Sequence, residues 1–358
     1  MDEFFTPVAV GNLKLPSRLV MAPMTRSRAV DAGKVTELTA EYYGQRAAAG
    51  LIITEGTQPS VKGQGYVSTP GLHDDDQVVA WRAVTGAVHA EGGRIFAQIM
   101  HSGRIGHPYL YPDESLPLGP SPIASGEKLY TPDRGMLEHP APREMTLEDI
   151  AVAIEEFTAA ARNAIEAGFD GVELHGANGY LIQQFLADGS NHRTDAYGGS
   201  IENRNRFAVE VARAVADAIG ADRVGLRVSP GTSVNGISES DPVPQYEALL
   251  RELNPLGLAY LHVMELGDRA LTLRLRDAWD GTLLLNPHPT PADFPASPER
   301  GAEALRDGVA DAIVFGELWL ANPDLPERIK VGGPYNKAEQ ASFFGGDHRG
   351  YTDYPSLG

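Results

Sequence analysis

The segment His175-Gly176-Ala177-Asn178-Gly179-Tyr180 holds an imidazole, a carboxamide and a phenol close together. His175 and Asn178 can both donate to one carbonyl oxygen. Two donors on the oxygen of an α,β-unsaturated carbonyl compound would polarise its C=C bond and favour hydride arrival at the β-carbon. Tyr180 could then pass a proton to the α-carbon; a phenol is a weak acid, but a general acid needs position first. Further candidates are spread along the chain: Pro23-Met24-Thr25, Gly56, Gln98 and Arg227. A hydroxyl, a carboxamide and a guanidinium suit a planar heterocycle with carbonyl and imide edges. Reduced flavins carry negative charge along such an edge, and a fixed guanidinium would stabilise it. No Ser–His–Asp set, phosphate loop or clear metal cluster stands beside them. Each residue also has a plainer reading. His175 could be a satisfied core histidine, Arg227 half of a structural ion pair, Thr25 and Gln98 strand-end caps, and Tyr180 a packing residue. His101 and His107 read as loop histidines.

Groups so far apart need a scaffold that gathers them. Eight short apolar runs read as strands: 19–23, 51–56, 94–101, 171–177, 224–230, 260–265, 281–286 and 312–316. Several are nearly continuous in apolar residues, as strands buried on both faces should be. Helical patterns fall between them. Thr146 and Asp149 form a capping box ahead of Ile150, Ile154, Phe157 and Ala161 at helical spacing, with Gly168 as the stop. Ser200 caps a second helix, Ser297-Pro298 opens a third, and Asp74-Asp75-Asp76 reads as an acidic helix start. Strands alternating with helices imply parallel connections, and eight of them predict a (β/α)8 TIM barrel, with an open doubly wound sheet as the rival. In such a barrel reactive groups sit where strands end. The first five runs deliver Thr25, Gly56, Gln98, His175 and Arg227 there. Residues 1–358 read as one domain. Residues 1–18 carry a hairpin around Val10-Gly11-Asn12-Leu13 that closes the barrel floor, 102–145 form a lid-like Gly/Pro-rich excursion, and 331–358 form a C-terminal tail.

Composition limits the partners. The chain has 358 residues, 42% of them hydrophobic, enough for a large core. It has no cysteine, which excludes disulfides, thiolate metal sites and cysteine nucleophiles. A net charge of −18 argues against nucleic acid and anionic lipid. No signal peptide or membrane-length apolar run is visible, so the cytosol is the expected compartment.

Taken in order and spacing, four segments resemble the Old Yellow Enzyme family: Ala22-Pro23-Met24-Thr25-Arg26, His175 to Tyr180, Asp195-Ala196-Tyr197-Gly198-Gly199-Ser200-Ile201-Glu202-Asn203-Arg204, and Gly350-Tyr351-Thr352-Asp353-Tyr354-Pro355. The resemblance covers nearly the whole chain. It implies a barrel with FMN at its strand ends, held at the ring by Thr25, Gly56, Gln98 and Arg227. It also implies a substrate-anion pair in His175 and Asn178, a proton donor in Tyr180, and NAD(P)H-driven reduction of enals, enones, maleimides and nitroalkenes. A barrel without a cofactor, acting as a binding protein, is the alternative of another class.

The chain departs from that family at the cofactor tail. The family holds the FMN phosphate with an Asn-Gly-Gly-aromatic turn after strand seven and a Phe-Gly-Arg after strand eight. Here these read Asn286-Pro287-His288-Pro289 and Phe315-Gly316-Glu317. Proline has no N–H to donate, and a carboxylate stands where the guanidinium should be, so charge-assisted bonds of about 1.5–3 kcal/mol each are missing. The expectation is weak FMN binding, with a reduced 8-hydroxy-5-deazaflavin coenzyme (factor 420), recycled by a separate reductase, as the hydride donor. Near the C-terminus the family's Phe-Tyr is Phe343-Phe344, which places Phe344 among the expected substrate contacts with one hydroxyl fewer.

Overall fold

The computed structural model describes residues 1–357. Eight parallel strands close into a barrel: β1 (Leu19–Met21), β2 (Leu51–Ile53), β3 (Ile95–Ile99), β4 (Gly171–Gly176), β5 (Val224–Val228), β6 (Tyr260–Met264), β7 (Leu283–Asn286) and β8 (Ala312–Phe315). β8 pairs with β1, which completes the ring and removes the open-sheet rival. All eight apolar runs became strands, each shorter than its run. The hydrogen-bonding ladder stops before the chain leaves extended conformation, and Pro23 and Pro230 cannot donate to it.

The outer helices are α1 (Glu37–Gly44), α2 (Asp75–Ala90), α3 (Leu147–Glu166), α4 (Ile201–Ile219), α5 (Pro242–Leu253), α6 (Arg269–Ala278), α7 (Pro298–Arg306) and α8 (Leu325–Val331). Their signals act as read. Asp74 caps α2 through its side chain, Thr146 and Asp149 form both bonds of the capping box, and Ser200 and Ser297 cap α4 and α7. Gly168 turns away from α3 with φ +90. Two strands, Val8–Val10 and Leu13–Leu15, make the floor hairpin. Val10 and Leu15 pack against the inward Val20, Leu51, Phe96, Tyr260, Leu284 and Val314. The 102–145 excursion contains an antiparallel hairpin, Lys128–Thr131 with Gly135–Glu138. A short parallel pair, Leu118–Gly119 with Arg143–Glu144, ties its two ends together.

The strand period of two sets what the barrel presents inward. Phe96 and Gln98 on β3, Glu173 and His175 on β4, Gly225 and Arg227 on β5, and Tyr260 and His262 on β6 share the inner face. The first member of each pair lies deeper than the second, and Glu173 is in register with both Gln98 and Gly225. Gly225 makes room for an aromatic layer: a Cβ there would lie 2.2 Å from the Tyr260 ring. Polar groups are stacked directly above, at the strand ends. No described helix is long and apolar enough to cross a membrane.

Candidate active site

Glu173 is the deepest charged group of the inner face and is fully buried. It accepts from Gln98 Nε2 at 2.8 Å, from the Tyr260 hydroxyl at 3.1 Å and from His262 Nδ1 at 2.8 Å. Burial pushes its pKa up most strongly, but His262, Arg227 and Gln98 outweigh that and hold it below the ordinary value. His262 is itself held below its ordinary value, burial outweighing the pull of Glu173. The pair is therefore an ionised carboxylate and a neutral imidazole. His262 donates from Nδ1, which leaves the buried Nε2 without a partner. An acceptor-only carboxylate also fixes the Gln98 amide. Its Nε2 must face Glu173, so its carbonyl oxygen faces the mouth of the barrel.

Arg227 is paired in register with His175 on one side and His262 on the other. It is buried, and its Nε has no partner. Desolvation lowers its pKa, opposed by Glu173. His175 is 3% exposed with an unpartnered Nδ1. Burial, then the Arg227 cation, keep it well below its ordinary pKa, so the imidazole is neutral at pH 7. Asn178 follows at φ +56, and its backbone N–H donates to Ser229 Oγ at 2.8 Å. Its Oδ1 is buried and unpartnered. Tyr180 precedes the short buried helix Leu181–Leu186, with its ring 4.9 Å from that of His175. His175, Asn178 and Tyr180 thus meet at one rim.

The other expected residues are less uniform. Thr25 is half-buried on a loop whose Arg26 N–H donates to Glu55 at 3.0 Å. Pro23 and Met24 are also half-buried. Met24 reaches strand eight: a Cβ on Gly316 would lie 3.4 Å from its Sδ. Gly56 is glycine because Met100 crowds it, with Sδ 2.6 Å from where a Cβ would be. Asn286 spends its amide on the Val314 carbonyl at 2.8 Å, tying β7 to β8. One of its amide hydrogens is thus taken, while its Oδ1 has no hydrogen bond from the described residues. His288 is buried under Phe294, ring centroids 3.7 Å apart. Glu317 opens the short helix Glu317–Ala321, half-buried, with no hydrogen-bond or ion-pair partner among the described residues. Phe344, expected as a substrate contact, is 67% exposed. It belongs to the C-terminal segment that Arg26 and Arg28 fasten through main-chain carbonyls. His101 is no loop-surface histidine; it is buried and accepts from the Gly103 N–H.

Sequence reading missed Glu173, His262, Tyr66 and Asn235. The first two were findable by parity, since Glu173 stands two residues before His175 on one strand and His262 two after Tyr260. Tyr66 and Asn235 come from loops with no periodic signal.

A flavin ring fits this mouth. Arg227 Nε and His175 Nδ1 are buried without partners, and the Gln98 carbonyl is turned outward, which matches a ring edge with imide and carbonyl groups. The tail end fits less well, because Pro287 and Pro289 offer no N–H and Glu317 adds negative charge.

Residues 3–336 match the NADH:flavin oxidoreductase / NADH oxidase family. The chain is 42% identical to 12-oxophytodienoate reductase 1 of Oryza sativa subsp. japonica, over 98% of this chain and 92% of that protein. It is 43% identical to a probable flavin mononucleotide-dependent alkene reductase of Leishmania infantum, over 100% and 98%. Among solved structures, morphinone reductase in complex with tetrahydroNAD matches with a TM-score of 0.92 at 42% identity, covering 99% of this chain and 98% of that one. The Old Yellow Enzyme homologue from Zymomonas mobilis matches with a TM-score of 0.94 at 38% identity, covering 99% of both. The chain belongs to the NADH:flavin oxidoreductase / NADH oxidase family, the Old Yellow Enzymes, and is an oxidoreductase acting on activated alkenes.

Proposed function

We propose that the protein reduces the C=C bond of small enones, enals or maleimides. The observation that carries this reading is the rim where His175, Asn178 and Tyr180 meet beside Arg227, whose buried Nε has no partner. When bound, a reduced flavin ring supplies the hydride. The chain's own residues do the rest. Neutral His175 and the Asn178 amide donate to the substrate carbonyl oxygen, which orients the alkene and withdraws electron density from its β-carbon. Arg227 and Gln98 would hold the ring, the guanidinium stabilising negative charge that develops on it and the carboxamide hydrogen-bonding to its polar edge. Tyr180 gives a proton to the α-carbon. Replacing His175 and Asn178 together with Ala should abolish enone turnover, by about a hundredfold or more in kcat/KM, while cofactor binding is retained. An unchanged kcat/KM would remove the anchor assignment.

FMN with NAD(P)H is the cofactor reading we favour, because a relative at 43% identity is named FMN-dependent and a structural neighbour at 42% identity holds a nicotinamide cofactor analogue. A deazaflavin coenzyme draws no support from the relatives; the tail residues alone suggested it. Those residues still predict a loosely held phosphate. Glu317→Arg should tighten FMN, though only in part, since Pro287 and Pro289 still lack N–H groups. Titration of apo-protein with FMN and with the deazaflavin coenzyme separates the cases. Tight stoichiometric FMN in the wild type, unimproved by Glu317→Arg, would end the weak-phosphate argument. Tighter binding of the deazaflavin would reverse the choice of cofactor.

A further inference from the structure

Giving up its proton would leave Tyr180 as a buried phenolate. Its hydroxyl is only 9% exposed as a residue, and burial, reinforced by neighbouring Tyr66, makes the anion strongly unfavourable. The charge must leave as the proton does. One group stands ready to take it. The Tyr66 hydroxyl lies 2.8 Å from the Tyr180 hydroxyl, with the rings edge-on at 89°. Tyr66 sits on the loop after β2 and, unlike Tyr180, is only partly buried as a residue. The Asn235 amide favours the ionised forms of both phenols against burial. Asn235 is itself held in place: its Nδ2 donates to the Asn178 carbonyl at 2.8 Å, and its backbone is in the left-handed region at φ 57. The two phenols therefore form one hydrogen-bonded pair leading away from the site.

We propose that Tyr66 is a proton-relay residue that recharges Tyr180 during alkene reduction. This rests on the function proposed above. As the Tyr180 O–H bond breaks and the α-carbon–H bond forms, the Tyr66 O–H bond breaks and a new O–H bond forms on Tyr180. Water then returns one proton to the Tyr66 oxygen, and hydroxide passes to the bulk. The electron pair for the α-carbon–H bond is the former π pair, displaced as the hydride bonds to the β-carbon. No further oxidant or reductant is needed. Tyr66 acts through Tyr180 and positions it, whereas Tyr180 touches the substrate.

The test is single-turnover oxidation of the reduced protein by 2-cyclohexenone in mixtures of H2O and D2O. With two protons in flight, the wild-type rate should bow downward as a function of deuterium fraction. Tyr66→Phe should slow this step roughly a hundredfold, the low end of what a placed proton donor contributes, and its plot should become a straight line. A purely structural role for Tyr66 would lower the rate without straightening the plot. A curved plot retained in Tyr66→Phe, or an unchanged rate, overturns the relay. Wild-type protein that fails to reduce the enone at all would instead overturn the underlying function. If Tyr66→Phe does not fold, Asn235→Gly keeps the left-handed backbone and removes the amide from both phenols. It should slow the same step, and an unchanged rate there would also overturn the proposal.

Discussion

Glu173 carries more of this site than its distance from the substrate suggests. It is the one carboxylate facing Arg227 from the inner strands, and it also orients Gln98 and selects the His262 tautomer. Glu173→Gln keeps the shape and removes the charge. The new amide would present a donor to at least one of Gln98, Tyr260 and His262, all of which now donate to it, and Arg227 would be left buried without compensation. Glu173 and Arg227 make no direct ion pair, and leaving a buried polar group of this network unsatisfied costs about 1–3 kcal/mol. Two readouts are expected. Thermal or urea stability should fall by that order, and flavin affinity should fall as the Gln98 amide loses its fixed orientation. Glu173→Asp, which keeps the charge, should retain more of both. Equal stability in wild type and Glu173→Gln would mean that Arg227 has another counter-charge. At this scale the sequence was legible where residue type and local spacing sufficed. His175, Asn178 and Tyr180 meet because a short turn leaves them no alternative. Tyr66 and Asn235 reach the same rim through loops whose course depends on tertiary packing, so nothing in their neighbours marks them.

The elements were legible for a different reason. Each barrel strand is apolar on both faces because helices cover the outside and side chains fill the inside, so all eight stand out as runs. The helix starts carry side-chain caps that act locally, and Thr146 with Asp149 needs nothing beyond four consecutive residues. What could not be read was the polar layering of the inner face. Glu173 inside the run Gly-Val-Glu-Leu-His looks like a solvent-facing break in an apolar strand. In the closed barrel the same position is fully buried, and Tyr260 can lie beneath the network only because Gly225 lacks a side chain. The excursion was placed correctly but read as a plain lid. Its internal hairpin depends on pairing Lys128–Thr131 with Gly135–Glu138, whose turn carries no strong hairpin dipeptide. Asn286 shows the same limit: its bond to the Val314 carbonyl, which ties β7 to β8, has no signal in the sequence.

Across the whole molecule, burial of histidines sets how stability responds to acid. His73, His101, His107, His139, His175, His262 and His288 are all held below the ordinary value, with desolvation the first cause in each. The sign follows from proton counts. Below 6.5 the unfolded chain protonates these imidazoles while the native state resists, so the unfolded state binds more protons and stability falls as pH falls. For His101 the loss runs from 6.5 down to about 4, where the native imidazole also protonates. Glu55 works in the opposite sense. Burial raises it from 4.5 to about 6, so over that window the native state takes the extra proton and gains stability as pH falls. Burial raises Glu156 and Glu239 as well, so three carboxyls oppose seven imidazoles and the imidazoles outnumber them. The surface carboxylates Asp149 and Asp347, stabilised by Arg143 and Arg349, add their losses only below 3.8. Stability should therefore be flat from pH 8 to 7 and fall steeply from about 6.5 toward 4. The slope should reach several times the ~1.4 kcal/mol per pH unit that a single proton contributes. His101→Gln, which can still accept from the Gly103 N–H, should lessen the slope by about one proton over that window. Urea midpoints measured at half-unit pH intervals decide the matter. A flat profile down to pH 5, or an unchanged slope in His101→Gln, would show that these histidines are protonated in the native protein and that their surroundings are wetter than their burial implies.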